Sequence, residues 1–218
     1  MFKFFQWQLE NQITDHTWKT DPDSACYRPC CNLKPALQPW FAYFKKNLKN
    51  MPCAPVNTDS IFPMILDQYT EIPEHTLREW FYGDDTLADL RDRAWVDNYI
   101  IEEGISRLLL QQSKIHEKLQ LDQAHTRLTL HCQRPGQLWP MHIDRKKNNE
   151  FNSNDYTRYL IFFDDWQPGQ ILQMGTEFIK WQAGDVFGYF DQSVPHGSAN
   201  FSHHDRLMLM VTGIKNTA

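Results

Sequence analysis

The chain of 218 residues has no uninterrupted apolar stretch that approaches the ~18–20 residues required for a membrane-spanning helix. Residues 1–10 also lack the apolar core and the small-residue cleavage site that mark a secretory signal peptide. These absences predict a cytoplasmic protein with no membrane partner.

The chain also lacks a net positive charge and cysteines at the spacing of paired motifs. The net charge of −5 argues against a protein that binds nucleic acid by bulk attraction to phosphate. The five cysteines are an odd number, which fits a reducing compartment better than a disulfide framework. Cys26, Cys30, Cys31 and Cys53 lie in the first quarter, but their spacing is not that of paired zinc-binding motifs. Free or buried thiols are therefore favoured over a structural zinc site.

The N-terminal half is predicted to be mainly helical or irregular. Frequent prolines between residues 22 and 63 prevent long helices there, apart from a short helix predicted to begin at Pro39. Apolar residues at helical spacing then predict a longer helix over about 86–120, with a break near Gly104. The apolar stripe of this helix is expected to pack on the outer face of a β domain.

From residue 124 the apolar residues recur with a period of two, which is typical of strands. The predicted strands cover residues 127–132, 138–144, 156–163, 170–173, 176–181, 186–190, 196–201 and 206–214. About eight short antiparallel strands separated by turns predict a jelly roll, also called a double-stranded β-helix. We therefore predict a single α+β domain over residues 1–218, with an N-terminal elaboration at 1–120 and a jelly-roll core at 121–218.

A candidate metal site begins at His142 and Asp144 in the second of these strands. Residues two apart in a strand point to the same face. An imidazole and a carboxylate so placed are two thirds of a 2-His-1-carboxylate site, which leaves open positions on Fe(II). His196 is the best candidate for the third ligand. His203 and His204 are poorer candidates because their surroundings predict a solvated turn.

Two arginines are candidates for binding an anion beside this metal. Arg206 opens the last, otherwise apolar strand, where an inward-facing guanidinium needs a buried anionic partner. Its rigid fork matches a carboxylate bidentately. Arg158, near the start of the strand at 156–163, is a second candidate, for which a surface role is equally acceptable.

Three more residues are candidate substrate contacts. Gln133 and Trp139 would flank the entrance from the first two strands, although Trp139 fits a core position equally well. His131 lies in an alternating strand and is either a substrate contact or a core histidine with its hydrogen bonds satisfied. The substrate is predicted only as a small molecule or a peptide, and the oligomeric state is left open.

The order of these parts, His-x-Asp, a distal His, and an Arg about one strand later, resembles the Fe(II)/2-oxoglutarate-dependent oxygenases. Residues 184–200, where Phe-Asp-x-Ser leads into the distal histidine and an Asn follows, resemble the aspartyl/asparaginyl β-hydroxylase branch. The chain departs from that branch by keeping a carboxylate, Asp144, after the first histidine. Most of the wider superfamily has this carboxylate, so the departure affects the substrate more than the chemistry.

The resemblance implies Fe(II) held by His142, Asp144 and His196, and 2-oxoglutarate held by Arg206 with help from Arg158. It also implies hydroxylation of an unactivated C–H bond in an amino acid or peptidyl side chain, with release of succinate and CO₂. One alternative is a cupin-type metal enzyme, either an isomerase or a dioxygenase without cosubstrate, which a further inward His or Glu would favour. Another is a non-catalytic β-sandwich binding module, which predicts no iron in the purified protein.

Overall fold

A computed structural model of the protein describes residues 29–57, 73–76, 94–142, 156–175, 177–189 and 196–216. The helices and strands in this part of the chain are β1 (Cys31–Asn32), α1 (Lys34–Asn47), β2 (Cys53–Asn57), β3 (Ala94–Ile100), α2 (Glu103–Ser113), α3 (Ile115–Lys118), β4 (Arg127–Gln133), β5 (Leu138–His142), β6 (Tyr156–Phe162), β7 (Gln170–Met174), β8 (Glu177–Phe178), β9 (Asp185–Tyr189), β10 (His196–Asn200) and β11 (Arg206–Ile214). None of the described helices is long and apolar enough to cross a bilayer.

The strands form two antiparallel sheets. The larger has seven strands in the order β1-β9-β6-β11-β4-β3-β2, and the smaller has four in the order β5-β10-β7-β8. Strands that are distant in the chain, such as β6 and β11 or β5 and β10, are neighbours in space. The chain therefore has an α+β jelly-roll fold of the cupin-like, double-stranded β-helix type, and the predicted fold class is confirmed.

The central strands of the large sheet are buried on both faces. On β6, Tyr159 and Ile161 join a core that includes the helices, whereas Leu160 and Phe162 join a second core that reaches the small sheet. The same alternation continues on β11, where Leu209 belongs to the first core and the residue before it to the second. These strands are nearly continuous apolar runs because both of their faces are covered.

Helices α1 and α2 cover the outer face of the large sheet. Phe41 of α1 stacks on Phe163 with a ring separation of 4.2 Å, and Phe44 beside it is completely buried. Leu109 of α2 and Ile115 of α3 are also inaccessible to solvent and belong to the same core. The apolar stripe after residue 101 therefore packs on the outside of the β domain, as predicted, and the inner face of the sheet is left to form a cavity.

The predicted helix over residues 86–120 is wrong across Ala94–Ile100. These residues form β3, which pairs with β2 and β4 in the large sheet. Because β3 is covered on both faces, its polar and apolar residues do not show the clear alternation that identifies a half-exposed strand. Helix α2 begins at Glu103, so Gly104 lies in its first turn and marks no break.

The other boundaries differ by smaller amounts. Helix α1 begins at Lys34 rather than at Pro39, because Pro35 occupies its first turn, where a missing N–H is tolerated. The strand predicted at 176–181 is reduced to Glu177–Phe178. Strands β1, β2 and β3 come from the region at 1–120 and extend the large sheet at both of its edges.

Gly184, in the turn before β9, allows α1 to approach the sheet. Its φ of +85° is unfavourable for other residues, and an added Cβ would lie 2.4 Å from the backbone N of Lys34. We expect Gly184→Ala to lower the free energy of unfolding by at least ~3 kcal/mol, since left-handed backbone strain and a backbone clash add together. Chemical denaturation of the purified variant measures this loss.

Gly104→Ala is the matched control because an added Cβ there meets no atom within 4 Å. It is expected to raise stability by ~0.5–1 kcal/mol through better helix propensity. A loss below ~1 kcal/mol in Gly184→Ala would contradict the close contact between α1 and this turn.

Candidate active site in the cavity between the sheets

A cavity of about 330 Å³ lies between the two sheets. Strands β3, β4, β6 and β11 of the large sheet and β5, β7 and β10 of the small sheet provide its walls. The polar side chains that line it are Asn98, Thr129, His131, Arg158, His196 and Ser198, and the larger apolar ones are Trp139, Leu160, Leu172, Met208 and Met210. Among the described residues that line it, one is an arginine and none is a carboxylate, so the walls favour an anionic ligand.

The cavity contains one of the predicted metal ligands and adjoins the strand of another. His196 lines the cavity and is only 7% exposed. It is the first residue of β10, and its Cα pairs directly with that of His142, the last residue of β5. Directly paired residues of an antiparallel sheet have Cα atoms about 4.5–5.5 Å apart. Two segments that are distant in sequence thus meet at one point of the small sheet.

Asp144, the predicted carboxylate ligand, lies outside the described residues. Within the described ranges, no group of three or more His, Cys, Asp or Glu side chains is placed to hold a metal ion. His203 and His204 are exposed in the bend between β10 and β11, away from the cavity lining. His142 and His196 are therefore the predicted ligands whose backbones the structure brings together.

Arg206 is held inside the protein at the start of β11. It is 2% exposed, and its Nη1 donates a hydrogen bond of 2.8 Å to the carbonyl oxygen of Ile171 on β7. Its guanidinium carbon also lies 5.7 Å from the ring centroid of Trp181. These contacts fix a permanent positive charge between the two sheets, on the face of β11 that also carries Met208 and Met210.

Asn200 fixes the turn that precedes Arg206. Its buried amide donates hydrogen bonds to the carbonyl oxygens of Gln133 at 2.6 Å and His204 at 2.8 Å. Its Oδ1 accepts hydrogen bonds from the backbone N and the hydroxyl of Ser202. The Asn that follows the distal histidine in the β-hydroxylase-like stretch therefore has a positioning role here, since it ties the β10–β11 turn to the end of β4.

The remaining predicted site residues occupy two different places. Arg158 and Trp139 line the cavity. Gln133 is completely buried, donates to the carbonyl oxygen of Ser198 at 3.4 Å, and lies opposite Arg206 in the β4–β11 pairing. The structure thus places Gln133 between the two sheets but outside the cavity lining, and its contact with substrate stays a prediction.

His131 and Asn98 are neighbours on the cavity wall. His131 lines the cavity with its Nε2 enclosed, and this atom has no hydrogen-bond partner in the described part of the chain. Burial, together with the nearby charges of Arg158 and Arg206, lowers the pKa of His131 from 6.5 to about 4. His131 is therefore neutral at physiological pH. The sequence gives no sign of Asn98 as a cavity residue, because its pattern predicts a helix where β3 lies.

The lowered pKa of His131 makes stability depend on pH. The unfolded chain takes up a proton at this residue near pH 6.5, whereas the folded protein does so only near pH 4. The contribution of His131 to the free energy of unfolding is therefore fully present above pH 6.5, and it is lost as the pH falls from 6.5 to 4. We expect wild type to lose ~3 kcal/mol more than His131→Gln over this interval. Urea denaturation at stepped pH measures the difference, and parallel curves for the two proteins would contradict it.

Comparison with known proteins gives a likeness in fold only. No protein family model matches the chain, and no curated protein matches it in sequence. KdgF from Halomonas sp. is similar in structure, with 9% identity over 56% of this chain and 81% of that one and a TM-score of 0.35. An RmlC-like cupin from Shewanella frigidimarina NCIMB 400 has 8% identity over 57% and 81% of the two chains, with a TM-score of 0.35.

A predicted oxalate decarboxylase from Thermotoga maritima is similar at the same level, with 14% identity over 55% of this chain and 80% of that one and a TM-score of 0.33. Likenesses this weak carry no argument about activity. The class of the protein follows from its own strand order, which is that of a double-stranded β-helix with a cavity between its sheets.

Proposed function

We propose that the protein is an Fe(II)- and 2-oxoglutarate-dependent dioxygenase that hydroxylates an unactivated C–H bond of an amino acid or peptidyl side chain. Succinate and CO₂ would be the other products. The observation that carries the proposal is the Cα pairing of His142 with His196 at a cavity whose surroundings include two arginines. The order of motifs in the sequence supports the same chemistry.

The donor set fits a non-haem iron. Two imidazoles, from His142 and His196, and one carboxylate, from Asp144, are the ligand types that hold Fe(II) with open positions. His196 is buried and lines the cavity, so an ion bound there would face a ligand in the cavity. When bound, the iron supplies the activation of O₂ and the oxidative decarboxylation of the cosubstrate.

The arginines fit a dicarboxylate cosubstrate. Arg158 lines the cavity, and the buried guanidinium of Arg206 lies close enough to lower the pKa of His131 inside it. A carboxylate is the natural partner of such a cation, because it accepts two parallel hydrogen bonds from a guanidinium. We assign the distal carboxylate of 2-oxoglutarate to Arg206, with Arg158 contributing to the positive potential around it.

The apolar walls have a complementary role. Trp139, Leu172 and Met208 surround the cavity and present few groups to which water can hydrogen-bond. Exclusion of water strengthens every charge interaction inside the site and protects the reacting groups from side reactions. In the proposed site, the arginines thus position an anion and the apolar walls exclude water beside the metal.

Succinate release tests the proposal. The Fe(II)-loaded protein is incubated in air with 2-oxoglutarate and a panel of amino acids and peptides, and succinate is quantified. We expect one class of substrate to stimulate succinate release, and omission of either iron or 2-oxoglutarate to abolish it. No stimulation by any substrate, together with no binding of 2-oxoglutarate to the anaerobic Fe(II) protein, would contradict the proposal.

A second candidate is a cupin-type metal enzyme that uses no 2-oxoglutarate. The observation that favours it is His131, an inward-facing histidine in the cavity, since such enzymes commonly carry a further metal ligand. Metal titration of His131→Ala separates the two candidates. A loss of affinity as large as that in His196→Ala would favour the cupin-type enzyme, whereas unchanged affinity would favour the dioxygenase.

A further inference from the structure

Arg127 lies on the cavity face of the large sheet, and the proposed metal and cosubstrate sites do not use it. On β4 it comes two residues before Thr129, which lines the cavity, so the two side chains point to the same face. Its Cα pairs with that of Thr212 on β11, which pairs in turn with Arg158 on β6. Since neighbouring strands are about 4.8 Å apart, the Cα atoms of the two arginines are about 10 Å apart in one row.

His196, a predicted metal ligand, lies toward the end of the cavity where Arg127 is found. The far end of β4 is tied to the end of β10, because the amide of Asn200 donates to the carbonyl oxygen of Gln133. β10 begins four residues before Asn200, at His196, which is about 13 Å away along the strand. Because His196 lines the cavity together with Thr129, this displacement is toward the start of β4, where Arg127 is the first residue.

A hollow of about 850 Å³ lies next to the cavity, between α2 and the start of β4. Thr129 lines both the cavity and the hollow, and Arg127 lines the hollow. The cavity itself, at about 330 Å³, is near the lower limit of the ~300–1,000 Å³ found for small-molecule pockets. With a cosubstrate bound, it has room for little more than one side chain. The remainder of a larger substrate would therefore lie outside the cavity, and the hollow provides space for it.

The charged residues that line the hollow leave Arg127 without a partner. Glu103 forms an ion pair with Arg107. The carboxylate of Asp122 lies 2.7 Å from the imidazole of His125. Arg127 is exposed and forms no ion pair with any residue in the part of the chain that the structure describes. Among the described residues, the hollow therefore presents one uncompensated positive charge beside the cavity.

We propose that Arg127 is a specificity-determining residue that binds a carboxylate of an acidic peptide substrate, on a residue next to the one that enters the cavity. The guanidinium fork matches a carboxylate. A peptide fits better than a free amino acid, because the hollow lies outside the cavity that receives the reacting side chain. In calling this ligand the substrate, the inference rests on the proposed function, but the charge preference itself requires neither iron nor turnover.

Three tripeptides with blocked ends and a central asparagine serve as probes, flanked by two aspartates, two asparagines or two lysines. Each is titrated into the metal-free, full-length protein, and binding is followed by NMR of the ¹⁵N-labelled arginine side chains. We expect the aspartate peptide to bind ~5-fold more tightly than the asparagine peptide, since one solvent-exposed ion pair is gained. The lysine peptide should bind most weakly, and the preference should shrink as the salt concentration rises.

Arg127→Gln is expected to reduce the preference for the aspartate peptide to about onefold. Arg107→Gln is the matched control, because it removes the same charge from the same hollow but at a residue already paired with Glu103. This control should keep the wild-type preference. Arg127→Glu should reverse the preference in favour of the lysine peptide, which a purely structural role would not produce.

The wild-type titration stands even if a variant does not fold. Equal binding of the three peptides, no binding of any, or a preference that Arg127→Gln leaves unchanged would overturn the role of Arg127. Succinate release could still be observed in that case. A charge preference that depends on Arg127, without succinate release from any substrate, would keep the anion site and remove the proposed function.

Discussion

Replacing His196 with alanine is expected to weaken the binding of one divalent metal ion by more than ~100-fold and to abolish turnover. His196 is buried, lines the cavity and is paired with His142, so in the proposed metal site its imidazole joins the two segments. The remaining histidine and carboxylate would form an incomplete site. Anaerobic calorimetry with Fe(II), or with Mn(II) as a redox-stable substitute, measures the affinity.

His204→Ala is the matched control for this experiment. His204 is exposed in the bend before β11, and its hydrogen bonds with Asn200 and Ser202 are made by its backbone N–H and carbonyl. Its removal should leave metal affinity unchanged, and circular dichroism should show that both variants are folded. Wild-type affinity in His196→Ala would remove this residue from the metal site.

Replacing Arg206 with methionine is expected to weaken 2-oxoglutarate binding by ~100-fold, since a charge-assisted pair with the distal carboxylate is lost. Methionine keeps the unbranched stem, so packing against Trp181 is disturbed less than by alanine. Calorimetry on the anaerobic Fe(II) protein gives the affinity. Arg107→Met is the control, because Arg107 is exposed on α2 and, within the described part of the chain, its ion pair is with Glu103 one turn away.

The same variant has an effect that does not depend on the cosubstrate. Burial is the main cause that holds the pKa of His131 near 4, and the charges of Arg158 and Arg206 add to it. In Arg206→Met this pKa should rise toward its ordinary value, which NMR titration of the histidine rings would detect. A normal affinity for 2-oxoglutarate with a raised His131 pKa would place Arg206 near the cavity but exclude it from binding the cosubstrate.

The alternation of β11 shows how one strand serves both stability and the site. Leu207, Leu209 and Val211 belong to the core under the helices. Met208 and Met210 line the cavity, and Arg206 lies on their face of the strand. Because the outer face alone secures the helices, the inner face can carry a buried charge and a cavity.

Sequence reasoning could predict the C-terminal strands because they have turns at their ends and β-branched or aromatic residues within them. The predicted strand at 206–214 has the bounds that the structure shows. His196 is predicted as a site residue, and the structure places it in the cavity. By contrast, the prediction of a helix over β3 is wrong, because a strand covered on both faces carries no periodic signal and a genuine helical stripe follows it.

The pairing of Asn98 with His131 on one wall of the cavity could not be predicted for a different reason. Its existence depends on the register between β3 and β4, and register is fixed by tertiary packing rather than by local sequence. The burial of Gln133 likewise depends on the turn that Asn200 ties to β4. Sequence patterns identified which residue types could do chemistry, and the fold decided which of them share a cavity.

The central claim is that residues 142 and 196 hold one metal ion together. Electron spin-echo spectroscopy of the Mn(II)-loaded protein with ¹⁵N-labelled histidine tests it most directly. Two directly bound imidazole nitrogens are expected in wild type, and one each in His142→Ala and His196→Ala. A wild-type spectrum without histidine coupling, or one that His196→Ala leaves unchanged, would contradict the shared metal site.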